Sequence, residues 1–394
     1  MTPPFRHLSS IVFKLGLNAC LLMSLFFVGC DKTKTNESAN KVAPTPGQAA
    51  APELKKVKIG YVGLTCDTDL FVAYEKGFFK EEGLDAEMIK MPWPDLREAL
   101  AFGKIDATHH LIMFLLKPIE GGVGLKLTAG VHKGCLRVQA AMNSDIKTVQ
   151  DLKGKRIGVP GIGTPPFILA SRAMVAAGMD PNKDVDWKVF SPAEMELALD
   201  KGLVDAVADS EPIGTMLISK NKVRNIVDQA TDAPYKDEYC CGVVVSAKLC
   251  DGDPSTAAKV TRAILKGSKW TETNPMAAAS LAVEKKYFGG TKELNAMALS
   301  KLSYIPSISG GRAAVISATT EMKKCGMLKP STVPEELAKL AFVPLAGVTD
   351  AWIQNLQVEK VADGGAPTEA QLATAMLKAS ANANGVKTCC DSKP

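Results

Sequence analysis

The chain has 394 residues, enough for two domains, because domains commonly hold about 100–200 residues. Hydrophobic residues make up 46% and charged residues 23%, proportions that support a sizeable core in a soluble protein. The formal net charge is +5, and no basic cluster interleaved with aromatic residues occurs along the sequence, so nucleic-acid binding is not expected.

The N-terminus predicts export. A positively charged segment, residues 6–14, precedes an apolar run over residues 15–28, which is the order of a secretory signal peptide over residues 1–29. Cys30 follows a glycine and resembles the lipidated cysteine of bacterial lipoproteins, and Asp31 resembles their inner-membrane retention signal. We therefore expect a periplasmic protein anchored to the cytoplasmic (inner) membrane through Cys30. An uncleaved anchor or an ordinary signal peptide is the alternative, although the apolar run is short for a membrane span, which needs roughly 20 residues.

After Cys30 the pattern changes from a tether to alternating elements. Residues 30–55 contain almost no bulky apolar side chain, so they cannot bury enough surface to offset their ordering entropy and predict a flexible tether. From Lys56 onward, strand patterns alternate with helical patterns, which indicates an α/β fold with parallel sheets and right-handed crossovers. Ligands bind such sheets at the carboxyl ends of the strands. The predicted strands cover residues 57–62, 86–91, 126–131, 137–143, 156–159, 185–190 and 242–246.

Residues 151–212 predict how a ligand is held. The strand over residues 156–159 ends in a glycine-rich turn that contains Gly163 and Thr164, and a helical pattern follows. The first N–H groups of a helix have no partner inside the helix, so they point at whatever occupies the turn. This arrangement suits a carboxylate, sulfonate, nitrate or phosphate. A similar turn, residues 63–69, follows the first predicted strand.

The motifs of this stretch, with others nearer the N-terminus, resemble the periplasmic binding components of ABC importers. The subgroup is the one for nitrate, bicarbonate, taurine, alkanesulfonates and thiamine-pyrimidine precursors. The matching motifs lie at residues 59–61, 71–85, 99–107, 151–155, 160–164, 177–181, 202–206 and 211–212. The resemblance implies a two-lobed α/β periplasmic binding fold (type II) with parallel-rich sheets and a hinge. It also implies a monomer without a cofactor that captures a small molecule between its lobes and delivers it to an ABC permease complex.

This fold divides the chain into segments. We assign residues 56–140 and 244–345 to the first lobe, residues 141–243 to the second lobe, and residues 346–394 to a C-terminal extension that packs along the first lobe and hinge. Closure of the two lobes would bury the ligand, and the permease would read the closed shape.

The candidate ligand contacts are polar, aromatic or glycine residues at predicted strand ends. Three of the four histidines are among them, together with Trp93, which is either a wall of the cleft or a surface aromatic over a helix end. Glu211 is either a general base or, as we favour, a hinge carboxylate that accepts a hydrogen bond from ligand or backbone. The candidates are Thr65, Cys66, Asp67, Trp93, His109, His110, His132, Gly163, Thr164 and Glu211.

The ten cysteines leave three alternatives open. Loss of Cys20 and lipidation of Cys30 leave eight, an even number that in an oxidising compartment favours disulfides. Some of them, with the histidines, could instead bind zinc, copper, nickel or iron, although no CxxC or HxxxH spacing occurs. A thiol contacting the ligand is the third alternative. Whether a metal binds therefore stays open.

The inferred cleft favours a heteroaromatic ring or a metal complex over nitrate. Histidine can donate or accept a hydrogen bond, and a tryptophan face attracts flat or cationic groups. An enzyme is not expected, because no Gly-x-Ser-x-Gly elbow, Walker loop or His-Glu-x-x-His helix occurs in the sequence. The rival function is a secreted metal-binding protein or metalloenzyme that uses His109, His110 and Cys135.

Overall fold

The computed structural model describes residues 53–368 and, beyond them, residues 370, 371, 373, 374 and 377. The predicted signal peptide, Cys30 and residues 30–52 of the predicted tether lie outside the described residues, as does most of the C-terminal extension after residue 368. None of the helices in the described ranges combines the length and the apolar character that crossing a bilayer requires.

Within the described residues, ten strands form two five-stranded sheets. In chain order the strands are β1 (Lys55–Tyr61), β2 (Leu84–Lys90), β3 (Ala107–Leu111), β4 (Leu125–Lys133), β5 (Leu136–Ala141), β6 (Arg156–Val159), β7 (Asp186–Val189), β8 (Ala206–Ser210), β9 (Val223–Asp228) and β10 (Tyr239–Ser246). The first sheet has the order β2-β1-β3-β10-β4 and the second the order β7-β6-β8-β5-β9. In each sheet four strands run in the same direction, and one strand, β10 or β5, lies between two of them and runs antiparallel, so both sheets are mixed.

Helices alternate with these strands, as the sequence predicts. They are α1 (Thr68–Glu75), α2 (Phe78–Glu81), α3 (Trp93–Ala101), α4 (Ile112–Glu120), α5 (Pro165–Ala176), α6 (Met195–Asp200), α7 (Ile213–Ser219), α8 (Ala247–Gly252), α9 (Pro254–Thr273), α10 (Pro275–Glu284), α11 (Lys292–Lys301), α12 (Ile308–Lys324), α13 (Pro334–Ala341) and α14 (Asp350–Asn355). Side-chain caps fix several helix starts. At α9, for example, the Asp253 carboxylate accepts the Thr256 backbone N–H at 3.0 Å, and Pro254 supplies the first helical residue.

The carboxyl ends of both sets of parallel strands meet where the chain passes between the sheets. Because β10 runs against β3 and β4, its first residues lie at their ends, and Tyr239 pairs with Lys133. In the second sheet Leu136, the first residue of β5, pairs with Ser210, the last residue of β8. The chain passes between the sheets at Gly134–Cys135 and again over residues 229–238. These two crossings form the hinge. The strand pairing just described brings the carboxyl ends of the parallel strands close to it.

The first crossing between the sheets lies at Gly134–Cys135, earlier in the sequence than the boundary after residue 140 that we assigned between the two lobes. β5 belongs to the second sheet, because its polar side chains find their partners there: Arg137 Nε donates to Asp228 at 3.0 Å, and Gln139 Nε2 donates to Asn225 at 2.9 Å. The return crossing also ends earlier, since β10 enters the first sheet at Tyr239 although residues 239–243 were assigned to the second lobe. Pairing between distant strands decides both boundaries.

The described part of the C-terminal extension packs on the first lobe. Asp350 accepts the backbone N–H groups of Ile308 at 2.6 Å and of Ser309 at 3.0 Å, which caps the start of α12. The Asn274 side chain, between α9 and α10, donates to the Glu359 carbonyl and accepts the Val361 N–H, both at 2.8 Å. The extension therefore covers helices that build the first lobe.

Candidate functional site

A cavity of about 420 Å³ lies between the lobes, and both predicted strand-end turns border it. Val62 and Leu64 reach it from the turn after β1, and residues 160–162 and 164 reach it from the turn after β6. The two turns thus face each other across one space, which is the arrangement that ligand capture between lobes requires. The other described lining residues are Pro92, Trp93, Arg97, Phe114, Pro192 and Ser210.

Two aromatic rings and one guanidinium group dominate the first-lobe wall. The ring centroids of Trp93 and Phe114 lie 6.5 Å apart at 43°, and the Arg97 guanidinium carbon lies 4.7 Å from the Phe114 centroid. Of the described residues that line this cavity, Arg97 is the one with a formal charge. The wall therefore suits a flat apolar group next to a negative one.

A second, larger cavity of about 1010 Å³ adjoins the first and shares Arg97, Phe114 and Ile162 with it. Gly163 lines this second space, as do methionines of α4 and of the α12 region. Apolar side chains, these methionines included, make up most of the lining of the second cavity.

The turn after β1 offers a ligand few backbone donors, because Asp67 already occupies them. Its Oδ2 atom accepts the N–H groups of Val62, Gly63 and Leu64 at 3.1, 2.9 and 3.2 Å. Burial raises the pKa of this carboxyl, while His109 and the backbone donors act in the opposite direction. Asp67 is thus a structural group of the turn rather than a wall of the cavity.

The turn after β6 is also poorer in donors than its glycines imply. Pro165 and Pro166 fill the first two positions of α5 and have no N–H to donate. The Thr164 hydroxyl donates to the Gly161 carbonyl at 2.6 Å, and Gly163 has φ +79°, the left-handed region that favours glycine. A small anion held mainly by backbone amides therefore fits this site less well than a larger organic group.

Three predicted contacts border the two cavities, namely Trp93, Gly163 and Thr164. The remaining predicted contacts are buried and line neither cavity. These are Thr65, Cys66, Asp67, His109, His110, His132 and Glu211. Only side-chain direction separates the two groups, since all lie near strand ends.

Thr65 and Glu211 serve the packing of the protein. The Thr65 hydroxyl donates to the Asn295 side-chain oxygen at 2.7 Å, and its carbonyl accepts the Thr68 hydroxyl. Glu211 pairs with Arg137 and accepts the Thr215 backbone N–H at 3.0 Å. Burial raises the pKa of Glu211, and Arg137 opposes the shift. Glu211 therefore accepts hydrogen bonds from protein groups.

His109 and His110 lie side by side in β3, a strand buried along its whole length, and point to opposite faces of the sheet. The His110 ring stacks on Phe114, with centroids 5.3 Å apart, and burial lowers its pKa to about 3. His110 therefore supports the cavity wall from behind as a neutral ring.

His109 belongs to a buried group beneath the cavity. Its Nδ1 lies 3.0 Å from the Asp69 carboxylate, and its ring stacks on His132 with centroids 5.1 Å apart. Burial alone would lower the pKa of His109, but Asp69 outweighs it and raises that pKa. Burial lowers the pKa of His132 to about 4. One donor atom each from Cys66, His109 and His132 lie within 4.8 Å of one another.

Three more thiols adjoin these residues. The Cys135 thiol interacts with those of Cys66, Cys240 and Cys241, and the Sγ atoms of Cys240 and Cys241 lie 3.7 Å apart. Hydrogen bonds from the neighbouring thiols hold the pKa of Cys135 well below its ordinary value. We call this group the His–Cys cluster; its members are Cys66, His109, His132, Cys135, Cys240 and Cys241.

The expected disulfides do not occur among the described cysteines. Cys66, Cys135, Cys240, Cys241, Cys250 and Cys325 are all free thiols. Four of them converge on one buried place instead of forming separate pairs, because strands β4 and β10 begin or end there. Cys389 and Cys390 lie outside the described residues.

Sequence reasoning missed Arg97, Phe114 and Ser210. A signal was present for Arg97, because it follows Trp93 by four residues in one helix and so shares its face. For Phe114 and Ser210 the sequence offers only their position after predicted strands.

Comparison with known proteins identifies the family. Residues 50–284, more than half of the chain, match the sequence model described as the NMT1-like family. The chain belongs to the NMT1-like family. It is 25% identical over 315 residues to the nitrate/nitrite binding protein NrtA of Nostoc sp.. The aligned region covers 72% of this chain and 71% of that protein.

Solved structures share the fold. The nitrate-binding protein NrtA from Synechocystis has a TM-score of 0.62 at 18% identity, covering 74% of this chain and 87% of that one. The alkanesulfonate-binding protein SsuA from Xanthomonas axonopodis pv. citri has a TM-score of 0.61 at 19% identity, covering 73% and 99%. The predicted α/β periplasmic binding fold and the predicted resemblance are thereby confirmed. The homologues are periplasmic substrate-binding proteins of ABC importers rather than enzymes.

Proposed function

We propose that the protein is an extracytoplasmic solute-binding lipoprotein that captures a small organic anion between its lobes and delivers it to an ABC importer. The observation that carries this proposal is the 420 Å³ cavity bordered by the strand-end turns of both lobes. Homology to nitrate-binding and sulfonate-binding proteins supports the transport role. The sequence pattern around Cys30 supports lipidation, and the homology supports a permease partner.

The cavity lining supports a ligand with a flat apolar body and a negative group. Trp93 and Phe114 supply aromatic faces, and Arg97 supplies a guanidinium that pairs well with a carboxylate or sulfonate. The backbone donors of the β1 turn are taken by Asp67, so charge recognition falls on Arg97. A heteroaromatic carboxylate or sulfonate is the class that these contacts favour.

Native mass spectrometry of the protein with whatever copurifies identifies the ligand, and titration calorimetry then measures its affinity. We expect Trp93→Ala and Arg97→Gln each to weaken binding by about 10–100-fold, since each removes one aromatic or charge-assisted contact of roughly 1.5–3 kcal/mol. Both variants should keep the unfolding temperature of the wild type within a few degrees.

Arg312→Gln is the matched control, because Arg312 is an exposed residue of α12 away from the cavity. Its affinity should equal that of the wild type. Equal affinity in Arg97→Gln as well, or a copurifying ligand of three or four atoms, would refute the proposed ligand class.

A further inference from the structure

We propose that the His–Cys cluster beneath the cavity binds one soft d¹⁰ cation, Zn²⁺ or Cu⁺, which fastens strand ends of the first lobe to the first crossing of the hinge. This site is separate from the solute cavity, since none of the cluster residues lines it. Thiolate and imidazole are the ligands that such cations prefer.

The donor atoms lie close enough for coordination after a small contraction. One donor atom each from Cys66, His109 and His132 fall within 4.8 Å of one another. Bonds of about 2.3 Å to sulfur and about 2.0 Å to nitrogen place tetrahedral donors roughly 3.3–3.8 Å apart. Each side chain therefore has to move by about an ångström, which side-chain torsions alone can supply.

Both imidazoles present an unsatisfied nitrogen in a dry interior. Among the described residues, Nε2 of His109 and Nε2 of His132 have no hydrogen-bond partner, although the side chains are 2% and 0% exposed. A buried polar atom without a partner costs about 1–3 kcal/mol, and here two such atoms belong to rings that stack on each other with centroids 5.1 Å apart. One cation between them satisfies both.

The other nitrogen of each ring is fixed in the way that metal ligands need. His109 Nδ1 lies 3.0 Å from the Asp69 carboxylate, and His132 Nδ1 lies 3.4 Å from the Lys133 carbonyl oxygen. A carboxylate or carbonyl behind a ligating histidine selects the tautomer and orients the ring. Both Nε2 lone pairs are thereby left for a metal.

Cys135 provides the fourth ligand, and the thiols of Cys240 and Cys241 lie next to it. Its thiol interacts with Cys66 on one side and with Cys240 and Cys241 on the other. Cys135 lies in the first crossing between the sheets, and Cys240 and Cys241 follow the second. A cation held by Cys66, His109, His132 and Cys135 would therefore join three strand ends of the first lobe to the hinge.

The test begins with the full chain, purified anaerobically without tag or chelator. Elemental analysis gives the resident metal, and titration with Zn²⁺ or Cu⁺ against a chromophoric chelator gives the affinity for each. We expect one equivalent of one of these ions per chain. Replacement by Co²⁺ should give thiolate-to-cobalt charge-transfer absorption and the visible bands of a tetrahedral site.

Cys66→Ser and His132→Gln should each lower the metal affinity at least about 100-fold and abolish or alter the cobalt spectrum. Cys250→Ser and Cys325→Ser, which remove thiols outside the cluster, are the matched controls and should bind like the wild type. Asp69→Asn keeps every ligand, so it tests the site even if a ligand variant fails to fold. It should lower the affinity about 10–100-fold.

Three results would overturn the proposal. One is the absence of a stoichiometric ion both in the purified protein and after addition of Zn²⁺ or Cu⁺. Another is equal metal affinity in Cys66→Ser and Cys325→Ser. The third is a disulfide that includes Cys66 or Cys135 in the native protein, detected by mass analysis. Solute binding, measured with the Trp93 and Arg97 variants, is read out separately.

Discussion

Asp67 and Asp209 show how single buried carboxylates shape the site. Asp67 accepts hydrogen bonds from the three backbone N–H groups that follow β1, so these groups are not available to bind an anion. Asp209, in β8, accepts the Ser210 N–H at 2.7 Å through one oxygen, while its other oxygen has no partner among the described residues. Burial raises the pKa of Asp209 to about 7, and the nearby Cys135 and Glu211 add to the shift.

Asp209 should make stability fall with rising pH. Its folded pKa of about 7 lies above the ordinary 3.8, so its contribution is fully present below about pH 4 and is lost as the pH rises through 7. Between pH 5 and pH 8 this loss is on the order of 2–3 kcal/mol in the free energy of unfolding. Asp209→Asn should remove it. Urea unfolding with chelator present, at both pH values, measures the difference.

Asp85→Asn is the control for this measurement, since Asp85 is exposed in β2. It should keep the pH dependence of the wild type. If Asp209→Asn also keeps that dependence, Asp209 is ionised throughout the range.

At the scale of elements, two helices pack through a glycine. Gly267 of α9 lies against the backbone of α1, where an added Cβ would come within 2.2 Å of the Asp69 carbonyl oxygen and 3.0 Å of the Ala73 Cβ. Helix propensity alone would favour alanine over glycine in α9. The close contact between the two helices therefore requires glycine at position 267. It also positions Asp69 behind His109.

Gly267→Ala should destabilise the protein by about 1–3 kcal/mol, because the new methyl group meets backbone that cannot yield locally. Thermal unfolding of the wild type and the variant measures the change. Gly252→Ala, at the end of α8 with no atom near the added Cβ, should instead be neutral or stabilising by up to about 1 kcal/mol. Stabilisation by Gly267→Ala would mean that α1 and α9 are farther apart in solution.

At the scale of the whole molecule, two crossings join the lobes, and the ligand cavity and the His–Cys cluster lie on the same side of the sheets' carboxyl edges. Lobe closure on a solute would move the second-lobe turn towards Trp93 and Arg97. A cation in the cluster would restrain the hinge without taking part in solute recognition. The proposed solute binding and the proposed metal binding would therefore make separate demands on the same region.

The proposed lipid anchor at Cys30 gives a prediction about where the protein is found in the cell. Cys30→Ser should prevent lipidation, so the protein should move from the membrane fraction to the soluble periplasmic fraction, since a covalent lipid contributes about 0.8 kcal/mol per buried CH₂. Fractionation followed by immunoblotting measures the shift, and mass analysis of the N-terminus reports the lipid. Cys20→Ser, inside the predicted signal peptide, should leave the distribution unchanged. Membrane retention of Cys30→Ser would point to an uncleaved anchor.

The sequence by itself determined the family, the alternation of strands and helices, and the two strand-end turns. These are properties of local pattern: β6 coincides with the predicted residues 156–159, and the turns after β1 and β6 both border the cavity. Neighbouring residues encode a strand followed by a glycine turn and a helix, so this unit can be predicted without knowledge of the rest of the chain.

Only the tertiary structure decided which strand-end side chains reach the ligand cavity. Both faces of β3 are buried, so the sequence shows no alternation of polar and apolar residues that would assign each histidine to a face. Only the structure shows that His109 contacts the Asp69 carboxylate and that His110 stacks on Phe114. The boundary at Gly134 and the convergence of four cysteines from three distant segments depend on strand pairing across long stretches of sequence. Such pairing is set by the packing of the whole core, which no local pattern contains.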